Sequence, residues 1–132
     1  MFHTLSYQCT VLYRDFWAYT SRRLEQLGLN YGVLFLLIYI GKHEQCTQAE
    51  LTNALQLDWG YCQRSVLKLV EEGFVLRVKQ GRAYHLSLSE LGRQAFEVSH
   101  QVFFDWDREA LHSLTAEEQQ QLLTLLGKIK RK

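Results

Sequence analysis

The sequence has no proline in 132 residues, where average usage would give about six or seven. Proline-rich linkers and collagen-like segments are thereby excluded, and long uninterrupted helices are permitted. Cysteine is scarce: Cys9, Cys46 and Cys62 are odd in number, widely spaced and form no CxxC pair. That usage fits free thiols in a reducing cytosol, neither a disulfide framework nor a zinc site. The five histidines make no HxxxH or HExxH spacing, so no metal site is expected. There is no GxGxxG, no P-loop and no GxSxG, so neither an enzyme nor a cofactor is expected. The longest apolar run, Val33 to Ile40, has eight residues, against about 20 needed to span a bilayer. Residues 1–5 show no basic segment leading into an apolar stretch. The expectation is a cytoplasmic protein with no membrane partner.

Charge of one sign is lacking as well. The formal net charge is +1, and as a whole-chain average it speaks against a nucleic-acid binder. The average hides regional terms that cancel: residues 99–127 carry a net −4, and Lys128, Lys130, Arg131 and Lys132 return +4. Between Arg77 and Leu88 stand Arg77, Lys79 and Arg82 with no acid among them, a local +3.

What is present is apolar periodicity. At 47% hydrophobic residues and low net charge the chain lies on the folded side of the disorder boundary, and its length suggests one domain. Residues 4–27 have helical spacing, with Leu5, Cys9, Leu12 and Phe16 on one face and Tyr13, Trp17, Leu24 and Leu27 widening it. Such a helix should be buried on two sides, by the domain core and by a second subunit. Gly28 is placed to stop it and Asn30 to cap the next element, the apolar run ending at Gly41, which reads as a helix or a buried strand.

Thr47 to Glu50 forms a capping box that opens a short helix through Leu51 and Leu55. Asp58 caps another, with Cys62, Val66, Leu69 and Val70 on its core face, Tyr61, Arg64, Ser65 and Lys68 opposite, and Gly73 at its close. The period then drops to two. Phe74 to Lys79, a turn at Gln80 to Ala83, and Tyr84 to Leu88 predict a β-hairpin. Helical spacing returns from Ser89, with Leu91, Ala95, Val98 and Val102, and runs on towards Leu111. A second capping box, Thr115 to Glu118, opens a last helix with Leu122, Leu125, Leu126 and Ile129 on one face.

Two short helices and a hairpin spell a helix-turn-helix with a wing. A capped helix on an exposed edge fits a major groove about 12 Å wide, while the hairpin reaches the neighbouring backbone. Arg reads guanine bidentately, Gln reads adenine, and Lys supplies charge to phosphates. The residues expected to meet DNA are Thr47, Gln48, Tyr61, Gln63, Arg64, Lys68, Arg77, Lys79 and Arg82. Tyr61 could equally be a partner for Trp59 at the helix entrance.

Across Thr47 to Leu51 with Leu55, Cys62 through Leu69 to Glu72-Gly73-Phe74-Val75, Arg77 and Arg82, and Leu86 to Gly92, the chain resembles the MarR-type (multiple-antibiotic-resistance regulator) winged helix-turn-helix transcription factors. The resemblance covers nearly the whole chain. It departs from the family in its short wing tip, Gln80 to Ala83, which lacks the usual aspartate, and in Ser65, where an apolar residue is common. The fold class it implies is α+β and mostly helical, a winged helix-turn-helix with N- and C-terminal helices forming a dimerisation region. On this reading residues 1–132 are a single MarR-like domain, with dimerisation helices at 1–28 and 90–132 and the DNA-binding part at 30–89. The implied partners are double-stranded DNA, as a palindromic operator usually under repression, and a second copy of the chain.

The resemblance also allows a small, often phenolic, effector. Tyr13, Trp17 and Tyr31 are the candidate lining, with core or dimer-interface packing as the other reading. Phe103, Phe104 and Trp106 read as interface anchors. Cys9, four residues before Tyr13, resembles the sensing thiol of the family's peroxide-responsive branch, with Tyr31 a candidate partner. Its place on the apolar stripe points instead to a buried structural cysteine. The reading from a different class is a winged-helix module that uses the same helix on a protein partner.

Overall fold

The computed structural model describes residues 2–129. The basic tail residues Lys130, Arg131 and Lys132 lie outside them. The chain falls into two compact units, Met1–Val102 and Phe103–Lys132.

In the first unit α1 (Leu5–Glu25) is capped by Thr4, whose hydroxyl accepts from the Tyr7 N–H at 3.2 Å. Gly28, at φ +77°, turns the chain out of it. Asn30 accepts from the Gly32 N–H at 2.8 Å and starts a single 3₁₀ turn, Tyr31–Val33, that runs straight into α2 (Leu34–Lys42). The apolar run is therefore a helix. It contributes four of the best-buried side chains, Leu34, Leu36, Leu37 and Ile40. Gly41 does not end it. A methyl group there would stand 2.1 Å from the Phe96 ring, so the glycine admits that ring against α2.

The helix-turn-helix follows: β1 (Cys46–Thr47), α3 (Gln48–Leu55) and α4 (Trp59–Glu71). The Thr47–Glu50 capping box is formed, and Asp58 Oδ2 accepts from the Tyr61 N–H at 2.9 Å. Cys62, Val66 and Leu69 are the buried face of α4, one helical turn apart. Gly73, at φ +86°, closes it. The hairpin of β2 (Val75–Gln80) and β3 (Ala83–Leu88) turns at Gly81. All pairing is antiparallel in the order β1-β3-β2. The two-residue β1 has no periodicity to betray it in sequence. It exists because Gln45 N–H reaches the Leu86 carbonyl at 2.8 Å.

The hairpin's root is tied down on two sides. Glu44 pairs with Arg93 at 2.6 Å and accepts from the Leu88 N–H, and His85 Nδ1 meets the Gln45 carbonyl at 2.8 Å. The first turns of α5 (Glu90–Ala110) come so close to the chain before β2 that a methyl group on Gly92 would lie 1.9 Å from the Phe74 carbonyl oxygen. The buried face of α5 is Gly92, Ala95, Ser99 and Val102. This corrects the expected face at two positions: Leu91 is exposed while Gly92 takes the close approach, and Ser99 is buried where Val98 is only half-buried.

A larger correction concerns α1. Of its 21 residues only Thr20, Ser21 and Leu24 are buried, and the expected stripe of Leu5, Cys9 and Leu12 is exposed. Apolar spacing marks a face for burial but does not say whether the chain's own core or another molecule covers it. In the second unit, Thr115 and Glu118 form the expected capping box of α6 (Ala116–Gly127), and Gln119 Nε2 donates to the Leu111 and Leu114 carbonyls. No side chain of α6 is buried.

Candidate nucleic-acid interface

The capped end of α3, the first turns of α4 and the outer half of the hairpin meet around a cleft of about 290 Å³. Its lining includes Thr47, Gln48, Gln63, Arg77 and Arg82, five of the nine residues expected to meet DNA, together with Trp59 and Tyr84. The hairpin's pairing explains the assembly. Arg77 stands opposite Leu86 and Lys79 opposite Tyr84, so these side chains share a sheet face with buried Val75 and Leu88. That face is apolar at the root, where it packs on the helices, and cationic at the tip. The Arg77 guanidinium lies 3.7 Å from the centre of the Tyr84 ring, a stack that fixes the direction of its charge.

Other groups in the cleft have assigned work. The Thr47 hydroxyl accepts from the Glu50 N–H at 3.2 Å and donates to the Glu50 carboxylate at 3.1 Å. The Thr47 backbone N–H, then its side chain, hold the Glu50 carboxyl below the usual carboxylate range. Beside them the Gln48 Nε2 is buried and has no acceptor among the described residues. That leaves an amide donor, two guanidiniums and the Gln63 amide around one concavity, a set suited to an anion with acceptor oxygens.

The remaining expected residues are placed elsewhere. Arg64 is exposed on α4, its Nη1 over Gly60. Lys79 is exposed on β2. Lys68 and Tyr61 line a separate cleft of about 210 Å³ with Asn30 and Glu72, and Tyr61 also borders a third with Phe35 and Leu57. The Tyr61 hydroxyl reaches back towards Gly32 in the 3₁₀ turn, 3.3 Å from where a Cβ would sit. Sequence reasoning missed Tyr84. The signal was available, since period-two counting across the turn puts Tyr84 on the same sheet face as Arg77 and Lys79.

Tyr31 sits at the centre of the expected effector lining. Its ring meets Tyr13 at 6.0 Å and Trp17 at 6.3 Å, and also Phe16 and Phe35 at 6.2 and 6.5 Å. Burial, and then the neighbouring Tyr13, push the Tyr31 phenol above its ordinary range. Cys9 is exposed on α1 of the single chain, so the chain's own core does not bury it, whereas Cys46 and Cys62 are buried. No group of three or more His, Cys, Asp or Glu placed to hold a metal occurs among the described residues. None of their helices is long and apolar enough to cross a membrane.

No family model matches the chain. It is 40% identical over 132 residues to the HTH-type transcriptional regulator BilQ of Clostridium symbiosum (strain WAL-14163), covering 98% of this chain and 92% of that protein. Among solved structures it resembles the reduced form of MarR from E. coli, with a TM-score of 0.84, 25% identity and 99% of each chain covered. In fold it also resembles a MarR family regulator from Listeria monocytogenes crystallised with a 26mer DNA, with a TM-score of 0.79, 19% identity, and 96% of this chain and 87% of that one covered. A helix-turn-helix with a cationic wing, matched along its whole length to such regulators, places this chain in the MarR family of winged helix-turn-helix transcriptional regulators.

Proposed function

We propose that this protein binds a palindromic operator in double-stranded DNA as a homodimer and represses transcription there, in the cytoplasm. The observation that carries the reading is the cleft in which α3, α4 and the hairpin bring Gln48, Gln63, Arg77 and Arg82 together, all donors and no acid. Arg64 on α4 and Lys79 on β2 extend the same basic edge, Arg64 as a base reader and Lys79 as a phosphate contact. The dimer reading is supported by the exposed apolar side chains of α1 (Leu5, Leu12, Tyr13, Trp17) and of α6 (Leu122, Leu123, Leu125, Leu126), too many to leave in water. On this reading residues 1–28 and 90–132 pair the subunits and residues 30–89 meet DNA. The aromatic group around Tyr31 is the seat of a small aromatic effector.

Selection of bound sequences from a random duplex pool tests operator, half-site spacing and symmetry together. A palindrome with half-sites about one helical turn apart is expected. A protein that shows no association with random duplex at low salt would instead be an interaction module. A second reading uses Cys9, which the chain's own core leaves uncovered: where the dimer leaves that face of α1 open, a hydroperoxide oxidises its thiolate to a sulfenic acid and is itself reduced to the alcohol.

A further inference from the structure

Trp59 is the first residue of α4, directly after the Asp58 cap. Its side chain is 52% exposed, so the chain's own packing leaves half of the residue uncovered. Val66, seven residues on along the same helix row, is fully buried. At the helix start that row has left the core and opens on the cleft between α3, α4 and the hairpin, where Trp59 stands beside Gln63, Arg77 and Arg82. Gln63 is four residues on, the spacing that puts two side chains on one helix face. Tyr61, two residues on, lines the clefts formed with the 3₁₀ turn and α2 instead, so Trp59 is not held as its packing partner. Single exposed apolar side chains are ordinary on protein surfaces. This one differs in standing among hydrogen-bond donors, at the leading end of the helix that enters the groove.

A recognition helix meets base edges through its N-terminal residues. Arg and Gln read the hydrogen-bonding groups there, but a donor gains nothing from a methyl group. Of the groups that base pairs present in the major groove, the thymine C5-methyl alone is apolar. We propose that Trp59 is a specificity-determining residue that covers a thymine C5-methyl in each operator half-site. The inference rests on the groove-binding reading of α4. Trp59 then adds to the donors of the cleft a contact that favours thymine by burying its methyl, without a hydrogen bond.

Replacing thymine by uracil tests this, because uracil keeps the O4 acceptor and lacks only the methyl. The duplex that the wild type selects is resynthesised with uracil at one thymine position of the half-site at a time, in both halves. Fluorescence anisotropy titrations compare the wild type with Trp59→Ala on each duplex, and thermal denaturation checks folding. Trp59→Gln takes the place of the alanine variant should that one misfold. At one position the loss of the methyl should weaken wild-type binding by about fourfold per half-site, the worth of one buried methyl-sized group. The same replacement should leave the affinity of Trp59→Ala unchanged. Selected half-sites that share no thymine, or uracil duplexes bound as tightly as the parent, would overturn the proposal. A uracil penalty that persists in Trp59→Ala would overturn it too, since another residue would then read the methyl. A wild type that binds no duplex at low salt would remove the groove-binding reading and this inference together, a result distinct from the others.

Discussion

Arg77→Ala removes one guanidinium from the cleft between α3, α4 and the hairpin, and two different quantities should respond by different amounts. Stability should change little. Along β2 only Val75 is buried, and Arg77 lies beyond it on the exposed part of the strand. The folded-state interaction lost is the stack on Tyr84 at 3.7 Å, worth about 0.5–1 kcal/mol at an exposed site. DNA affinity should change more. If Arg77 holds a phosphate, binding weakens alike on all sequences and the slope of log affinity against log salt becomes shallower by about 0.9. If it holds a base, the cost is about 1–3 kcal/mol, or roughly five- to 150-fold, and falls on particular operator positions. Arg77→Lys separates these cases, because lysine keeps the charge but loses the planar fork and the stack. It should restore the salt slope without restoring discrimination. Anisotropy titrations across a salt series, paired with thermal melts, measure all of this. A folded Arg77→Ala protein with wild-type affinity and wild-type salt slope would refute the assignment of this cleft to DNA.

Gly41→Ala and Gly92→Ala should each lower stability by about 1–3 kcal/mol in denaturant titrations, because the added methyl meets the Phe96 ring or the Phe74 carbonyl. On an open helix the same change would raise it by about 1 kcal/mol, so the sign alone decides. Burial, with Glu50 adding to it, pushes the Cys46 thiol from its ordinary 9.0 up to about 11. A raised folded-state value means that its contribution to stability is complete below pH 9 and is lost as pH rises through about 11. A stability–pH profile without a Cys46-dependent fall in that window would contradict this. Native thiol titration should find Cys46 and Cys62 reacting only on unfolding, while Cys9 reacts fast in the dissociated chain and slowly where a second subunit covers the Leu5–Leu12 face, with that phase absent in Cys9→Ser. If Cys9 is also a sensor, hydroperoxide should release the wild type from DNA and leave Cys9→Ser bound.

Local signals carried most of the secondary structure. The capping boxes at Thr47 and Thr115, the Asp58 cap and the positive-φ glycines at 28, 73 and 81 act within four residues of themselves, so their geometry is written in adjacent letters. The basic residues of the wing were equally legible, because charge without intervening acid needs no fold to be counted. The partners of those residues were not. That Tyr84 rather than an acid braces Arg77 depends on strand register, and that Tyr61 reaches Gly32 depends on how α4 packs against the 3₁₀ turn. Gly41 read as a helix stop because a glycine's close neighbour can lie more than 50 residues away, here Phe96.

The absence of proline, the two helical periods and the hairpin's alternation between them determined the order of elements and the winged helix-turn-helix class. They did so because backbone propensity and side-chain period are properties of short stretches. Tertiary structure alone decided which apolar faces the chain itself covers, closing Leu24 and Val102 into the core while leaving Leu5 and Leu12 uncovered by it. It also decided which cations share a cleft. Burial and convergence are set by contacts between residues far apart in sequence, and no window of neighbouring letters contains them.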